Sequence, residues 1–301
     1  MASETQKRSF PIAGIRSVEL SVPDLSQAEA FYTDVWGLSV AGRDGGALYL
    51  RGTGSDPYLV ALRKGAVAID SVTWAAAPQA DLDLLRARLI SAGGRDVSEI
   101  DEVPLHGGGT GFSLKDPAGR TLRVVQGAQT NAAQADTGSR PVRLAHVNIN
   151  TADMERDVAF LEAGLGFVLT DRSAQMAFLR TNDDHHAIVL AKAPVDTLNH
   201  VAFLHDSWED VMRASGRMCD ARFPIGWGPG RHGPGDNVFV YFVDPFGIVV
   251  EHTAEVLQVD DSYRIGMPSD WVWPEGRTDQ WGIAPPKTDD CKAAQLAVPF
   301  S

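Results

Sequence analysis

The sequence predicts an α+β chain of two tandem domains, each built from two βαβββ modules. Three observations carry this reading. The chain repeats itself, the repeated segments alternate strand and helix patterns, and 301 residues are enough for two domains. The segment "GIRSVELSVPDLSQAEAFYTDVWGL" aligns with "RLAHVNINTADMERDVAFLEAGLGF". Asp24 then matches Asp153 and Gly37 matches Gly166, both offset by 129 (153 − 24 and 166 − 37).

Each copy opens with a strand, then a turn holding the Asp, then a helix. Leu25, Ala28, Tyr32 and Trp36 recur at helical spacing in the first copy, as do Met154, Val158, Leu161 and Leu165 in the second. Gly37 and Gly166 stand just past each helix, where a left-handed residue is wanted. "LYLRG" (48–52) then pairs with "AFLRT" (177–181) as a strand. Second helices are expected near 80–92 and 207–216. "KDPAGRTLRVV" (115–125) pairs with "VDPFGIVVEHT" (243–253), each an Asp-Pro-x-Gly hairpin turn between strands. "GAQTNAAQADTGSRP" is small, polar and linker-like. The expected organisation is a first domain at 1–127, a linker at 128–143, a second domain at 144–254 and a tail at 255–301. The tail matches neither copy, is rich in Trp and Pro, and reads as an irregular segment folded over the second domain.

Composition narrows the function classes. A net charge of −12 lacks the basic footprint of a nucleic-acid binder. No run approaches the roughly 18 apolar residues that span a bilayer. "MASETQKRSF" has no apolar leader core, and Cys219 and Cys291 stand far apart, forming neither a disulfide framework nor a CxxC site. A cytoplasmic protein is the expectation.

The copies act as each other's control. The second has His146, His200 and Glu251 where the first has Ser17, Ser71 and Arg123. Taken singly, each histidine reads first as a hydrogen-bonded core residue and Glu251 as a surface carboxylate. Taken together, two imidazoles and one carboxylate from separate strands form the facial set that holds non-haem Fe(II) with open positions. An arginine cannot bind a metal, so the first copy has no such site. His185 and His186 are adjacent, and neighbours on a strand face opposite sides. The offset places them on Asp56 and Pro57. His186 is expected to face the metal and His185 to point away. A histidine beside a metal but not bound to it is a proton carrier.

With these residues in view, the chain resembles the type I extradiol ring-cleaving dioxygenases of the vicinal oxygen chelate superfamily. The carrying segments are "LAHVNI", "DDHHAIVL", "LNHVAF", "GPGRHGPGDNVFVYFVDPFG" and "VVEHT", with "TDQWG" in the tail. The resemblance implies that each domain's two modules form an open barrel around a pocket. It implies His146, His200 and Glu251 as metal ligands, Fe(II) as the metal (Mn(II) shares the ligands), and His186, His232 and Tyr241 as catalytic pocket residues. The substrates would be a catechol and O₂, and the product of cleavage beside the diol a muconic semialdehyde type. Oligomers are common in that family, so a homo-oligomer is expected. Asn148 shares a face with His146 and is a candidate to hydrogen-bond around the metal. The homoprotocatechuate branch carries two arginines where this chain has Trp227 and Thr278. With Phe178, Trp227 therefore suggests an aromatic, uncharged wall, under a lid of Trp271, Trp273 and Trp281. Arg231 is the pocket candidate that would supply a charge. Two other readings stay open: a non-redox metal-dependent isomerase or lyase of the same superfamily, and a module that sequesters a small molecule without catalysis.

Overall fold

The computed structural model describes residues 8–135 and 138–301. The start of the chain, read above for a leader, and linker residues Asp136 and Thr137 lie outside the described residues. The first half runs β1 (Ile12–Val22), α1 (Leu25–Ala30), β2 (Ser39–Asp44), β3 (Ala47–Arg51) and β4 (Val60–Lys64). It continues with β5 (Ala68–Ala76), α2 (Leu82–Ser91), β6 (Asp101–Glu102), β7 (Thr110–Lys115) and β8 (Thr121–Gln126). The second half repeats the order with β9 (Arg143–Thr151), α3 (Met154–Phe160), β10 (Val168–Arg172), β11 (Met176–Arg180) and β12 (Ile188–Lys192). Then come β13 (Thr197–Leu204), α4 (Trp208–Asp220), β14 (Trp227–Arg231), β15 (Val238–Val243) and β16 (Val249–Ala254). Each half is thus two βαβββ modules.

The two sheets have the same order, β2-β3-β4-β1-β5-β8-β7-β6 and β10-β11-β12-β9-β13-β16-β15-β14. The opening strands of the two modules lie side by side and antiparallel at the centre of each sheet. Local chemistry sets the helix ends. Asp24 accepts from the backbone N–H of Ser26 and Gln27, and Asp153 from that of Arg156, so each caps its helix. Both helices end in a wide π turn, after which Gly37 and Gly166 take φ of 96° and 71°. A residue with a Cβ is strained there.

The halves share one apolar core and trade equivalent contacts. Tyr32, past α1, donates its hydroxyl to Asp244 in the second half's hairpin turn at 3.0 Å. Arg120, in the first half's turn, bonds Asp157 of α3 and holds Asp116 at 2.6 Å. All of these side chains are buried.

The tail is more ordered than the sequence suggested. It contains α5 (Asp289–Ala294) and β17 (Val298–Pro299), and β17 pairs with β13. It also reaches the first half, where the Ser301 N–H donates to the Ile69 carbonyl at 3.1 Å. Among the described residues no helix is long and apolar enough to cross a membrane.

Candidate active site

Strand register brings the site together. His146 on β9 lies opposite Ala202 on β13, Ala202 opposite Glu251 on β16, Glu251 opposite Tyr241 on β15, and Tyr241 opposite Trp227 on β14. One row across five strands therefore carries two expected ligands and two expected pocket residues. His200, two residues before Ala202, projects from the same face. The equivalent row in the first half runs Ser17, Thr73, Arg123 and Ser113. There the Arg123 guanidinium bonds Glu19 at 2.8 Å and approaches Ser71 and Thr73. A covalently attached cation thus stands where the second half has its carboxylate.

In the second half the ligand atoms converge. His146 Nε2 and His200 Nε2 are 3.1 Å apart, and Glu251 Oε2 lies 3.3 Å and 3.0 Å from them. All three residues are buried. Their hydrogen bonds test whether they fit an ion. Lys287 can only donate, and its Nζ meets Gln295 Oε1 at 2.6 Å. Gln295 Nε2 then donates to Asn199 Oδ1 at 2.6 Å, and His200 Nδ1 meets the same oxygen at 2.8 Å. That nitrogen must carry the hydrogen, which leaves Nε2 as a lone pair facing Glu251. Glu251 Oε2 is buried without a hydrogen-bond partner. Acceptors aimed at one another in a dry site repel unless a cation lies among them. The set fits a divalent metal.

The electrostatics agree. Burial lowers His200 to about 4 and holds His186 well below the usual imidazole range. Burial alone would raise Glu251, but the adjacent His146 and His200 imidazoles hold it well below the usual carboxylate range. Neutral imidazoles and an ionised carboxylate are the ligand forms of these side chains.

A cavity of about 280 Å³ opens above the triad, the size for a small one-ring molecule. His186, His232, Tyr241, Asn148, Phe178 and Trp227 all line it. The His186 ring centroid is 4.4 Å from that of His146. His232 Nε2 sits 3.1 Å from the Tyr241 hydroxyl and 3.8 Å from Glu251. Burial lowers His232 to about 3 and raises Tyr241 well above the usual phenol range, so both are neutral. A larger cavity of about 800 Å³, lined by Arg8, Phe10, Arg180 and Tyr263, holds none of the triad, and both arginines are paired with Asp261.

Several expectations need correction. Arg231 does not line the cavity; it turns to Asp236 at 3.1 Å and Glu255 at 2.7 Å, because those carboxylates neutralise it. Trp281 is exposed and lies against Arg231, so only Trp271 and Trp273 cover the cavity. The Asn148 amide oxygen has no hydrogen-bond partner, and Asn199 supports His200 instead. His185 points away from the cavity as expected and does not line it, but it is wholly buried and its Nδ1 lies 3.0 Å from His186 Nδ1. The wall is not free of charge either, since Lys287 lines it, with Nζ 4.5 Å from the Trp227 ring centroid. Lys287 and Gln295 were missed because they come from the tail, which has no counterpart in the repeat. Asp171 was missed too, although the repeat held a signal: the same offset sets it against Gly42.

Comparison with known proteins follows the same lines. A Mn(II)-bound glyoxalase from Novosphingobium aromaticivorans is 35% identical, with a TM-score of 0.86, over 93% of this chain and 94% of that one. Metapyrocatechase 2 of Cupriavidus necator is 27% identical over 91% of each chain. A manganese-dependent 2,3-dihydroxybiphenyl 1,2-dioxygenase of Geobacillus genomosp. 3 is 25% identical over 78% of this chain and 82% of its own. Residues 143–252, the half with the converging triad, match the superfamily's own description. With its repeated βαβββ modules and full-length likeness, the chain belongs to the Glyoxalase/Bleomycin resistance protein/Dioxygenase superfamily.

Proposed function

We propose that the chain is an extradiol dioxygenase that opens a substituted or hydroxylated catechol beside its diol, inserting both atoms of O₂. The observation that carries this is the buried convergence of His146 Nε2, His200 Nε2 and Glu251 Oε2 on the floor of a one-ring cavity flanked by three neutral acid–base groups. His146, His200 and Glu251 would hold the ion, Fe(II) in our reading. When bound, it supplies Lewis acidity toward the two vicinal hydroxyls and an electron path between ring and O₂. The relatives with manganese in their names make Mn(II) the alternative.

The residues around it do the rest. His186 Nε2 takes the proton of a substrate hydroxyl and returns it to a product oxygen. His232 and the Tyr241 hydroxyl hydrogen-bond the diol oxygens and fix the ring's orientation. Phe178 and Trp227 pack on the ring, while Trp271 and Trp273 exclude water. Lys287 is committed to Gln295 and to the Trp227 face, so we keep a neutral substituent as the substrate class.

The test is anaerobic reconstitution with Fe(II) or Mn(II), followed by O₂ uptake with methylcatechols, a trihydroxylated toluene, 2,3-dihydroxybiphenyl, protocatechuate and homoprotocatechuate. Expected is one metal per chain and stoichiometric O₂ consumption with neutral catechols. Glu251→Gln and His200→Ala should fold and lose the metal; full metal occupancy in both would sink the ligand assignment. Preference for either acid would make Lys287 the carboxylate's partner. A second reading, a non-redox isomerase or lyase, draws on the likeness to a glyoxalase. Turnover of a non-catechol substrate without O₂ uptake would favour it.

A further inference from the structure

Behind His186 runs a line of buried hydrogen bonds. Asp171 Oδ2 lies 2.8 Å from His185 Nε2, and His185 Nδ1 lies 3.0 Å from His186 Nδ1. Asp171 and His185 are fully enclosed, and His186 nearly so. The other Asp171 oxygen accepts from the Gly266 N–H at 2.6 Å, and the Tyr263 hydroxyl approaches both oxygens at 3.3–3.4 Å. We propose that Asp171 and His185 are positioning residues that hold His186 in one orientation and one tautomer, with the hydrogen on Nδ1 and the lone pair of Nε2 presented to the substrate.

The direction follows from the end of the chain. An ionised carboxylate only accepts. His185 Nε2 must therefore carry its hydrogen, which leaves Nδ1 as the acceptor. His186 Nδ1 must then donate, and its Nε2, on the ring edge away from His185, is free to take a proton. When Nε2 takes the substrate's hydroxyl proton, the positive charge that forms on His186 faces an uninterrupted path to the Asp171 carboxylate. The proton stays on Nε2 until it returns to a product oxygen, so nothing leaves the line. Acid–histidine pairs that fix a tautomer act in the same way elsewhere.

Strand irregularity places this line. A β-bulge between Leu169 and Asp171 marks the β10–β11 pairing, and bulges re-aim side chains. The first half has the same irregularity between Val40 and Gly42. There the three positions are Gly42, Asp56 and Pro57, and the His106 ring occupies the space a Gly42 side chain would need. The half without metal ligands lacks the whole line.

The kinetic arm of the test rests on the dioxygenase reading; the spectroscopic arm does not. Imidazole ¹⁵N–¹H correlation spectra of the protein loaded with diamagnetic Zn(II) should show His186 protonated at Nδ1 and bare at Nε2. Asp171→Asn should mix or reverse that tautomer. His185→Phe, which removes the acceptor, should lower kcat by about 10- to 100-fold with metal content and KM nearly unchanged. His185→Gln, whose amide oxygen can accept from Nδ1–H, should recover most of the rate. A wild-type His186 protonated at Nε2, or a His185→Phe protein with full kcat, would overturn the proposal. If Asp171→Asn does not fold, the His185 pair and the wild-type spectrum still decide it. Absence of O₂ uptake by the wild type with every catechol would instead strike the proposed function and leave the tautomer result standing.

Discussion

At the scale of residues, the legible part was the part that the repeat could compare. Ser17 against His146, Ser71 against His200 and Arg123 against Glu251 are differences in kind, and the three ligand atoms do meet. Orientation was not legible. Arg231 sits beside His232 in sequence, yet Asp236 and Glu255 draw it outward. His185 was read by strand alternation as pointing away from the metal, and it does not line the cavity. But residues 185 and 186 precede β12 and lie outside the regular pleat, so its buried contact with His186 was not foreseen. Alternation holds only where a strand is paired. His186 itself carries a sharp expectation. His186→Phe should keep its metal and bind catechol, yet lose about 10²–10⁴ in kcat, the usual effect of deleting a general acid–base group. Single-turnover O₂ consumption after anaerobic substrate binding separates the chemical step from binding. A variant with wild-type single-turnover rates would remove His186 from the mechanism.

At the scale of elements, periodicity and capping signals were sufficient for the modules. The Asp-bearing turns, the left-handed glycines and the Asp-Pro-x-Gly turns are local chemistry, and the structure shows them where the pattern placed them, adding that each Asp caps its helix. The tail had no such pattern, and its role depends on what it touches. Gly266 lies in it, and a Cβ there would sit 2.5 Å from Asp171 Oδ1 and 2.8 Å from the Trp271 indole. Asp171 is held by His185 and the Gly266 N–H, so it cannot yield cheaply. Gly266→Ala should cost about 1–3 kcal/mol of stability, the range for overpacking a filled site, and should expose the 255–288 segment to protease first. Chemical denaturation and timed proteolysis read the two effects. Unchanged stability and an intact tail would mean that this seat is looser than the distances imply.

At the scale of the molecule, the halves are tied through equivalent helix-to-turn contacts, and the buried carboxyl in one of them should make stability depend on pH. Burial raises Asp244 from 3.8 to about 6, against opposing hydrogen bonds from the Ile248 and Phe246 N–H groups and from Tyr32. A carboxyl whose folded value lies above its unfolded value contributes stability that is full below about 3.8. That contribution is lost as the pH rises through about 6. The full displacement corresponds to about 3 kcal/mol. An Asp244→Asn variant has no titrating group in the turn. The stability of the wild type minus that of the variant should therefore fall by up to that amount between about pH 4 and 7, with the metal state matched. Urea denaturation of both proteins across that range checks it. A difference that is flat with pH would show that the turn is wetter than its burial suggests.

The sequence by itself determined the two-domain βαβββ architecture, the half that carries the convergent His-His-Glu set and the residues that form it. Those follow from local propensity and from a repeat, and both are written along the chain. Only the tertiary structure decided which donors surround them. Lys287 and Gln295 reach His200 through Asn199, and Tyr263 and Gly266 reach His185 through Asp171. The physical reason is that a hydrogen bond depends on distance and direction within a few tenths of an ångström. Those are set by a strand bulge and by a tail that returns from far along the chain, and neither leaves a period to read.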